Sequence, residues 1–142
     1  MKMDAYADEE MMKRALGDEY DELAEPGNVE VSRDNDVWPL VVAAIREVYD
    51  PEIPVNVYEL GLIYKIHISK AEDSKDEEYD VYVEMTLTSP ACPVAQEMPA
   101  MVQSAIFPVD RIRNVDVDII WDPTWEPSMM AETAKLQLNM FT

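Results

Sequence analysis

Three stretches of the chain alternate apolar and polar residues with the period of two that is typical of β-strands. They cover residues 62–69, 79–88 and 114–121, and in each one face is apolar and the other is mostly polar. The segment 70–78 between the first two is strongly acidic. We therefore expect the first two strands to form an antiparallel hairpin with an exposed loop.

Three other stretches repeat apolar residues every three or four positions, which predicts amphipathic helices. The first begins near Asp36, whose side chain can cap the first amides, and ends at Asp50-Pro51 because a residue before proline avoids the helical conformation. The second begins at Pro93 and the third at Pro127. The apolar face of the second comprises Val94, Met98, Met101, Val102, Ala105 and Ile106, and that of the third comprises Met130, Ala134 and Leu138.

The predicted order of elements is therefore α-β-β-α-β-α. Because each strand has one polar face, the helices must pack together on the other face. This predicts an α+β fold, a two-layer α/β sandwich with a small mixed three-stranded sheet and helices on one face. The strand–helix–strand segment 79–121 allows a right-handed crossover into parallel alignment.

The acidic residues are concentrated near the N-terminus, where the first 36 residues hold 12 of the 30 Asp and Glu side chains. A Pro26-Gly27 pair interrupts this region, and few of its residues are candidates for a core. We expect residues 1–35 to be an acidic extension that is partly disordered, and residues 36–142 to be the folded domain.

Charge and cysteine content exclude several classes of protein. The net charge of −19 over 142 residues makes nucleic acids and anionic membrane surfaces poor partners. No apolar run is long enough to span a bilayer, and the start MKMDAYADEE has no signal-peptide pattern. A cytoplasmic location follows as the simplest expectation. With one cysteine, a single chain has no disulfide and no four-cysteine zinc or iron–sulfur site.

The most informative segment is 88–93, Thr-Ser-Pro-Ala-Cys-Pro, where the second strand ends and the second helix begins. Pro93 is a natural first helical residue, which puts Cys92 at or next to the helix cap. Free amides and the helix dipole there favour a thiolate, the form that binds metal or attacks an electrophile. The alternative is that Cys92 is a small buried apolar residue, as many free cysteines are.

Other candidate residues carry weaker signals. A lone histidine at a strand position such as that of His67 is more often structural than a ligand. No Cys–His pairing or glycine-rich phosphate loop is evident in the sequence. An enzyme is therefore the weakest hypothesis. Asp50 and Glu52 are better candidates because a proline-rich loop holds them, although a stop to the helix and solvation of the loop would also explain them. Trp121 and Trp125 pack the turn after the third strand, or one of them forms part of a partner surface.

Three segments together resemble one known family. They are DPEIPVNVYELGLIYKI (50–66), MTLTSPACPVAQEMP (85–99) and VDVDIIWDPTWEPSMMAETAKLQL (115–138). They are similar, in the same order, to the SufT/PaaD-like family of metal–sulfur cluster assembly proteins. The resemblance covers roughly 36–140, and the acidic extension resembles the longer bacterial SufT type.

The resemblance implies a two-layer α/β fold and a non-enzymatic role in maturing iron–sulfur proteins. Cys92 matches the cysteine of the family's TxPxCP motif, and Asp50, Pro51 and Glu52 match its DPE(I/V)P motif. The family's WDPxW motif is matched by Trp121, Asp122, Pro123 and Trp125. Thr124 stands in place of a second proline and Ala91 in place of a glycine, and neither difference removes the site.

One thiolate cannot hold an iron–sulfur cluster tightly, because such clusters use about four ligands. Three arrangements follow. Cys92 is one ligand of iron or a labile cluster in transit, with a partner supplying the rest; or a homodimer brings two Cys92 thiolates together; or the protein binds no metal and is an adaptor, as in the PaaD-like branch. The expected partners are the iron–sulfur assembly machinery and client apo-proteins, and Cys92, Asp50 and Glu52 are the predicted site residues.

Overall fold

The computed structural model describes residues 24–51, 53–72, 77–88 and 97–141. Residues 139–141 are described by their backbone alone. The described residues form four strands and three α-helices. In chain order they are β1 (Glu30–Val31), α1 (Trp38–Ile45), β2 (Ile63–Lys70), β3 (Tyr79–Met85), α2 (Met98–Ile106), β4 (Ile112–Ile119), a 3₁₀ turn (Pro127–Met129) and α3 (Glu132–Phe141).

The strands form one mixed sheet in the order β1-β2-β3-β4. β2 and β3 are antiparallel, and β3 and β4 are parallel, so the predicted hairpin and the predicted parallel pair are both confirmed. The sheet has four strands rather than the predicted three, because β1 pairs in parallel with β2. β1 is only two residues long, too short to show an alternating pattern, and it lies inside the segment predicted as an extension. The division of the chain at residue 35 stays a prediction, since residues 1–23 lie outside the described part.

The core lies against one face of this sheet and confirms the α+β class. Its inner-facing strand residues share one cluster with the buried side chains of α1 and α2. From α1 these are Val41, Val42 and Ile45, and from α2 they are Met98, Val102 and Ile106. The alternate positions of β2 and β4, such as His67 and Asp116, are exposed. Period-two alternation therefore identified the buried face of the sheet.

The cap of α1 differs from the prediction. Oδ1 of Asn35, not the carboxylate of Asp36, accepts hydrogen bonds from the amides of Val37 (3.1 Å) and Trp38 (2.9 Å). The Asp36 carboxylate instead pairs with Arg111 at 2.7 Å, and this hydrogen bond holds its pKa below the usual value.

Two of the predicted helix ends are also wrong. α1 ends at Ile45, before Asp50-Pro51, and the Val48 amide bonds the Ile45 carbonyl as the chain turns away. Pro127 opens a 3₁₀ turn rather than α3, because Met130 takes an extended conformation and ends the turn, and α3 begins at Glu132.

α2 is described from Met98, whereas its predicted first residues lie in the segment 89–96, outside the described part. Within the described ranges, no helix combines the length and the apolar character needed to cross a bilayer.

Candidate functional site at one edge of the sheet

Strand direction brings all three motif-bearing segments to the same edge of the sheet, the one at the carboxyl ends of β3 and β4. β3 and β4 are parallel, so the residues that follow Met85 and Ile119 leave from one edge. β2 is antiparallel to β3, so the loop before Ile63 reaches that same edge. The loop 50–61, the segment that begins at Thr86 and the segment that begins at Ile120 therefore meet there.

Hydrogen bonds join the three segments at this edge. The Thr86 amide donates to the Leu62 carbonyl and the Ile120 amide donates to the Met85 carbonyl, each at 2.8 Å. The indole Nε1 of Trp125 donates to the Leu60 carbonyl, also at 2.8 Å. These bonds fix the relative positions of segments that are far apart in sequence.

Asp50 has two roles in this arrangement. Its carboxylate is buried, and Oδ1 accepts a hydrogen bond from the Ile53 amide at 2.9 Å, which closes the proline-rich loop. Oδ2 accepts a longer hydrogen bond from Oγ1 of Thr88 at 3.5 Å. Thr88 is the last described residue before the segment that contains Cys92. Asp50 therefore links its own loop to the start of that segment.

The other two predicted site residues, Glu52 and Cys92, lie outside the described residues. The structure describes the chain up to Thr88 and again from Glu97 onward. A thiolate at Cys92 and a shared site with Asp50 and Glu52 therefore stay predictions.

A buried hydroxyl at this edge has no hydrogen-bond partner among the residues that the structure describes. It is Oγ1 of Thr86, a residue that is 1% exposed, and no described group accepts from it or donates to it. Buried polar atoms are nearly always paired, and exceptions in native structures call for an explanation such as a functional role. Thr86 lies two residues before Thr88, so this unpaired group belongs to the same edge.

The two tryptophans after β4 have different environments. Trp125 is half-buried and anchored by its bond to Leu60, and the Pro123 carbonyl accepts a hydrogen bond from the Tyr64 hydroxyl at 2.8 Å. The Asp122-Pro123 peptide bond is cis. Trp121, in contrast, is 49% exposed. Trp125 thus has the packing role expected for these residues, and Trp121 is available at the surface.

His67 does not join the edge. It is exposed on the polar face of the sheet, where its Nδ1 lies 3.5 Å from Oγ of Ser32. Among the residues that the structure describes, no three His, Cys, Asp or Glu side chains are arranged to hold a metal ion.

Sequence reasoning missed a buried ionic network beneath this edge. Glu59 is fully buried, and its carboxylate pairs with Arg46 at 3.2 Å and accepts hydrogen bonds from Asn56 Nδ2 at 2.9 Å and from the hydroxyl of Thr133. These groups come from the turn after α1, the loop 50–61 and the start of α3. A single carboxylate inside the otherwise apolar run VYELGLIY was the signal that could have found it, because a buried charge needs partners.

The same network holds Glu25, five residues before β1. The Tyr58 hydroxyl donates to the Glu25 carboxylate at 2.6 Å, and the Arg46 guanidinium lies 4.9 Å from the centre of the Tyr58 ring. Burial, followed by the hydrogen bond to Glu25, raises the pKa of Tyr58 well above its ordinary value. Ala24, next to Glu25, is fully buried. Ala24 and Glu25 are therefore part of the packed structure.

Comparison with known proteins identifies relatives that match about two thirds of this chain. The Fe-S protein maturation auxiliary factor of Porphyromonas gingivalis is 41% identical over 99 residues, which are 70% of this chain and 88% of that protein. The Fe-S protein maturation auxiliary factor SufT of Staphylococcus aureus is 33% identical over 93 residues, which are 66% of this chain and 98% of that protein.

Two solved structures are also similar. A domain of unknown function from Bacillus anthracis has a TM-score of 0.60 at 27% identity, covering 72% of this chain and 91% of that one. A conserved hypothetical protein from Thermotoga maritima has a TM-score of 0.57 at 29% identity, covering 80% of this chain and 97% of that one.

A family model described as iron-sulfur cluster assembly protein matches residues 40–119, which include Asp50, Glu52 and Cys92. This range extends from within α1 to the end of β4 and covers more than half of the chain. The resemblance inferred from the three motifs is therefore confirmed, and the chain belongs to the iron–sulfur cluster assembly protein family of SufT-like proteins.

Proposed function

We propose that this protein is a maturation factor for iron–sulfur proteins, and that it passes iron or a cluster to client apo-proteins through the thiolate of Cys92. Membership of the family and the names of its relatives, which are maturation auxiliary factors, support the maturation role. The transfer through Cys92 is the finer part of the proposal.

The observation that carries the proposal is the convergence at the sheet edge. Three motif segments, separated by tens of residues, meet there, and the carboxylate of Asp50 contacts Thr88 at the start of the segment that contains Cys92. A site whose parts come from three loops on a rigid sheet is suited to positioning reactive side chains. The Thr86 hydroxyl at the same edge, which no described group pairs, supports a site whose polar groups contact a bound ligand or partner.

The chemistry of transfer follows from the small number of ligands. A cluster uses about four ligands, and one thiolate with one or two carboxylates completes only part of that set. The cargo would therefore be bound weakly, with the donor or the client supplying the remaining ligands, and would leave readily. Cys92 supplies the soft ligand in this proposal, and Asp50 and Glu52 supply harder oxygen ligands or position the loop.

The proposed partners are the iron–sulfur assembly machinery as donor and client apo-proteins as acceptors, in the cytoplasm. The protein acts without catalysing a chemical conversion of its own. A net charge of −19 favours partners with basic surfaces over a homodimer, because two copies of so acidic a chain repel each other.

The deciding experiment compares variants in a strain from which the gene is deleted. We expect Cys92→Ser to fold normally and to leave a client iron–sulfur enzyme with the low activity of the deletion strain. Ser69→Ala, at an exposed position on the polar sheet face, is the control and should restore activity. Full restoration by Cys92→Ser would contradict the thiolate mechanism and favour the adaptor of PaaD-like type, which needs no cysteine. Anaerobic purification of wild type beside Cys92→Ala, with iron and sulfide analysis, tests the cargo directly.

A further inference from the structure

An open groove of about 940 Å³ lies between the turn after α1 and the helix α2. Val48 and Tyr49 line it from the turn, and Ala100, Met101 and Ala105 line it from α2. The small side chains of α2 leave the space that a partner's side chain could enter. The groove is distinct from the sheet edge, but α2 begins immediately after the segment that contains Cys92.

Met101 is the feature that indicates binding in this groove. Its position in the helical repeat predicts burial with Met98 and Val102, yet its side chain is 44% exposed. An exposed methionine offers a flexible, polarisable surface that adapts to different apolar partners. The core side of α2 is complete without it, since Met98, Val102 and Ile106 already fill that side.

Two carboxylates give the groove its charge. Glu47 stands on the wall formed by the turn and Glu97 on the wall formed by α2, and both are exposed. No Lys or Arg in the described part of the chain forms an ion pair with either of them. The groove therefore combines apolar walls with a negative charge on each side, and a chain of net charge −19 reinforces that charge.

We propose that this groove docks a segment of the client protein in which an apolar side chain is flanked by Lys or Arg residues. The apolar side chain would contact Met101 and the small residues of α2, and the basic residues would approach Glu47 and Glu97. A second copy of this chain fits less well, because its surface is acidic as well. In naming the partner a client, the inference rests on the proposed function, since docking here would bring the client next to the segment that carries Cys92.

A binding assay with purified full-length protein tests the groove. The probe is a fluorescent peptide with leucine and phenylalanine between lysines, compared with one peptide whose lysines are replaced by glutamates and another whose apolar residues are replaced by serines. We expect saturable binding of the first peptide alone. Charge reversal by Glu47→Lys with Glu97→Lys should weaken it about tenfold at low salt, because two ion pairs become repulsive.

Matched variants separate the groove from general charge and general apolarity. Asp110→Lys with Asp116→Lys makes the same change of net charge elsewhere on the exposed surface and should reduce binding at most about twofold. Met101→Gln should weaken binding about fivefold, whereas Leu136→Gln, at a residue of 43% exposure on α3, should leave it unchanged. Circular dichroism confirms that each variant is folded.

Absence of saturable binding to the wild type, or equal losses in the groove variants and their controls, would overturn the proposal. This result is independent of the proposed function, which is tested by client activity in the deletion strain. If the deletion strain shows no loss of client activity, the proposed function is contradicted and the binding result is unaffected.

Discussion

The guanidinium of Arg46 lies 3.2 Å from the carboxylate of Glu59, a side chain with no exposed surface. This ion pair joins the end of α1 to the loop that carries Asp50, and Thr133 extends it to α3. The loop 50–61 contains two prolines and is not part of a helix or strand, and side-chain contacts such as this pair add to the backbone hydrogen bonds that shape it. The pair therefore stabilises the loop that reaches the sheet edge, and it takes no part in the proposed transfer of iron or a cluster.

Removing the cationic partner should destabilise the fold strongly. Arg46→Met leaves the Glu59 carboxylate buried without its counter-ion, and we expect a loss of about 3 kcal/mol in the free energy of unfolding. Lys135→Met removes the exposed partner of Glu132 and should cost less than about 0.5 kcal/mol. Urea unfolding with an unchanged m-value measures both. Equal costs for the two variants would contradict a structural role for the buried pair.

Gly61 fixes the contact between this loop and the 3₁₀ turn. Its φ is +87°, and a Cβ at this position would lie 2.5 Å from the Met129 carbonyl oxygen. Gly61→Ala should therefore cost at least about 2 kcal/mol, from backbone strain and from the clash. Gly27→Ala is the control, because nothing lies within 4 Å of the position of its Cβ, and it should change stability by less than about 0.5 kcal/mol. Thermal unfolding of both variants distinguishes a local requirement from a general cost of replacing glycine.

Patterns within a few residues were enough to predict most of the fold. Alternation identified β2, β3 and β4 and their buried face, and helical spacing identified α1 and the buried side of α2. β1 was missed because two residues cannot show a period, and its pairing with β2 is a contact between residues more than thirty positions apart.

The motifs named the candidate site residues, whose role stays a prediction, but they did not indicate the contacts that hold Asp50 in place. The motifs pointed to Asp50 directly, whereas its contact with Thr88 joins residues 38 positions apart, and no local pattern indicates it. The exposure of Met101 was also not predictable from a local pattern, because it depends on contacts between distant segments. Periodicity reports which side of a helix is apolar, and only the neighbouring elements determine how much of that side is covered.

Tyr82, on the polar face of the sheet, should lose its proton at a higher pH than an ordinary tyrosine. Its hydroxyl hydrogen-bonds Glu84 at 2.9 Å and Asp118 at 3.1 Å. The hydrogen bond to Glu84, then desolvation and the bond to Asp118, raise its pKa from 10.0 to about 12. Because the folded pKa is the higher one, the stabilisation is complete below pH 10 and is lost as the pH rises towards 12.

The NMR signal of the Tyr82 ring measures this pKa. Glu84→Gln should lower it towards 10, because the main acceptor loses its charge. Glu47→Gln removes the same charge from the groove, away from Tyr82, and should leave the pKa nearly unchanged. A titration near 10 in the wild-type protein would show that the two hydrogen bonds do not persist in solution.

Asp50 allows the structural and functional roles of one carboxylate to be separated. Its Oδ1 closes the loop by accepting from the Ile53 amide, and asparagine keeps an oxygen there while losing the charge. Asp50→Asn should therefore keep stability within about 1 kcal/mol of the wild type, whereas Asp50→Ala loses that hydrogen bond and should cost about 1–2 kcal/mol. If the carboxylate helps to handle the cargo, Asp50→Asn should reduce client activity in the deletion strain as much as Asp50→Ala does, even though it is the more stable of the two. If activity instead follows stability across the two variants, Asp50 acts only by shaping the loop, and the ligand role falls to Cys92 and Glu52.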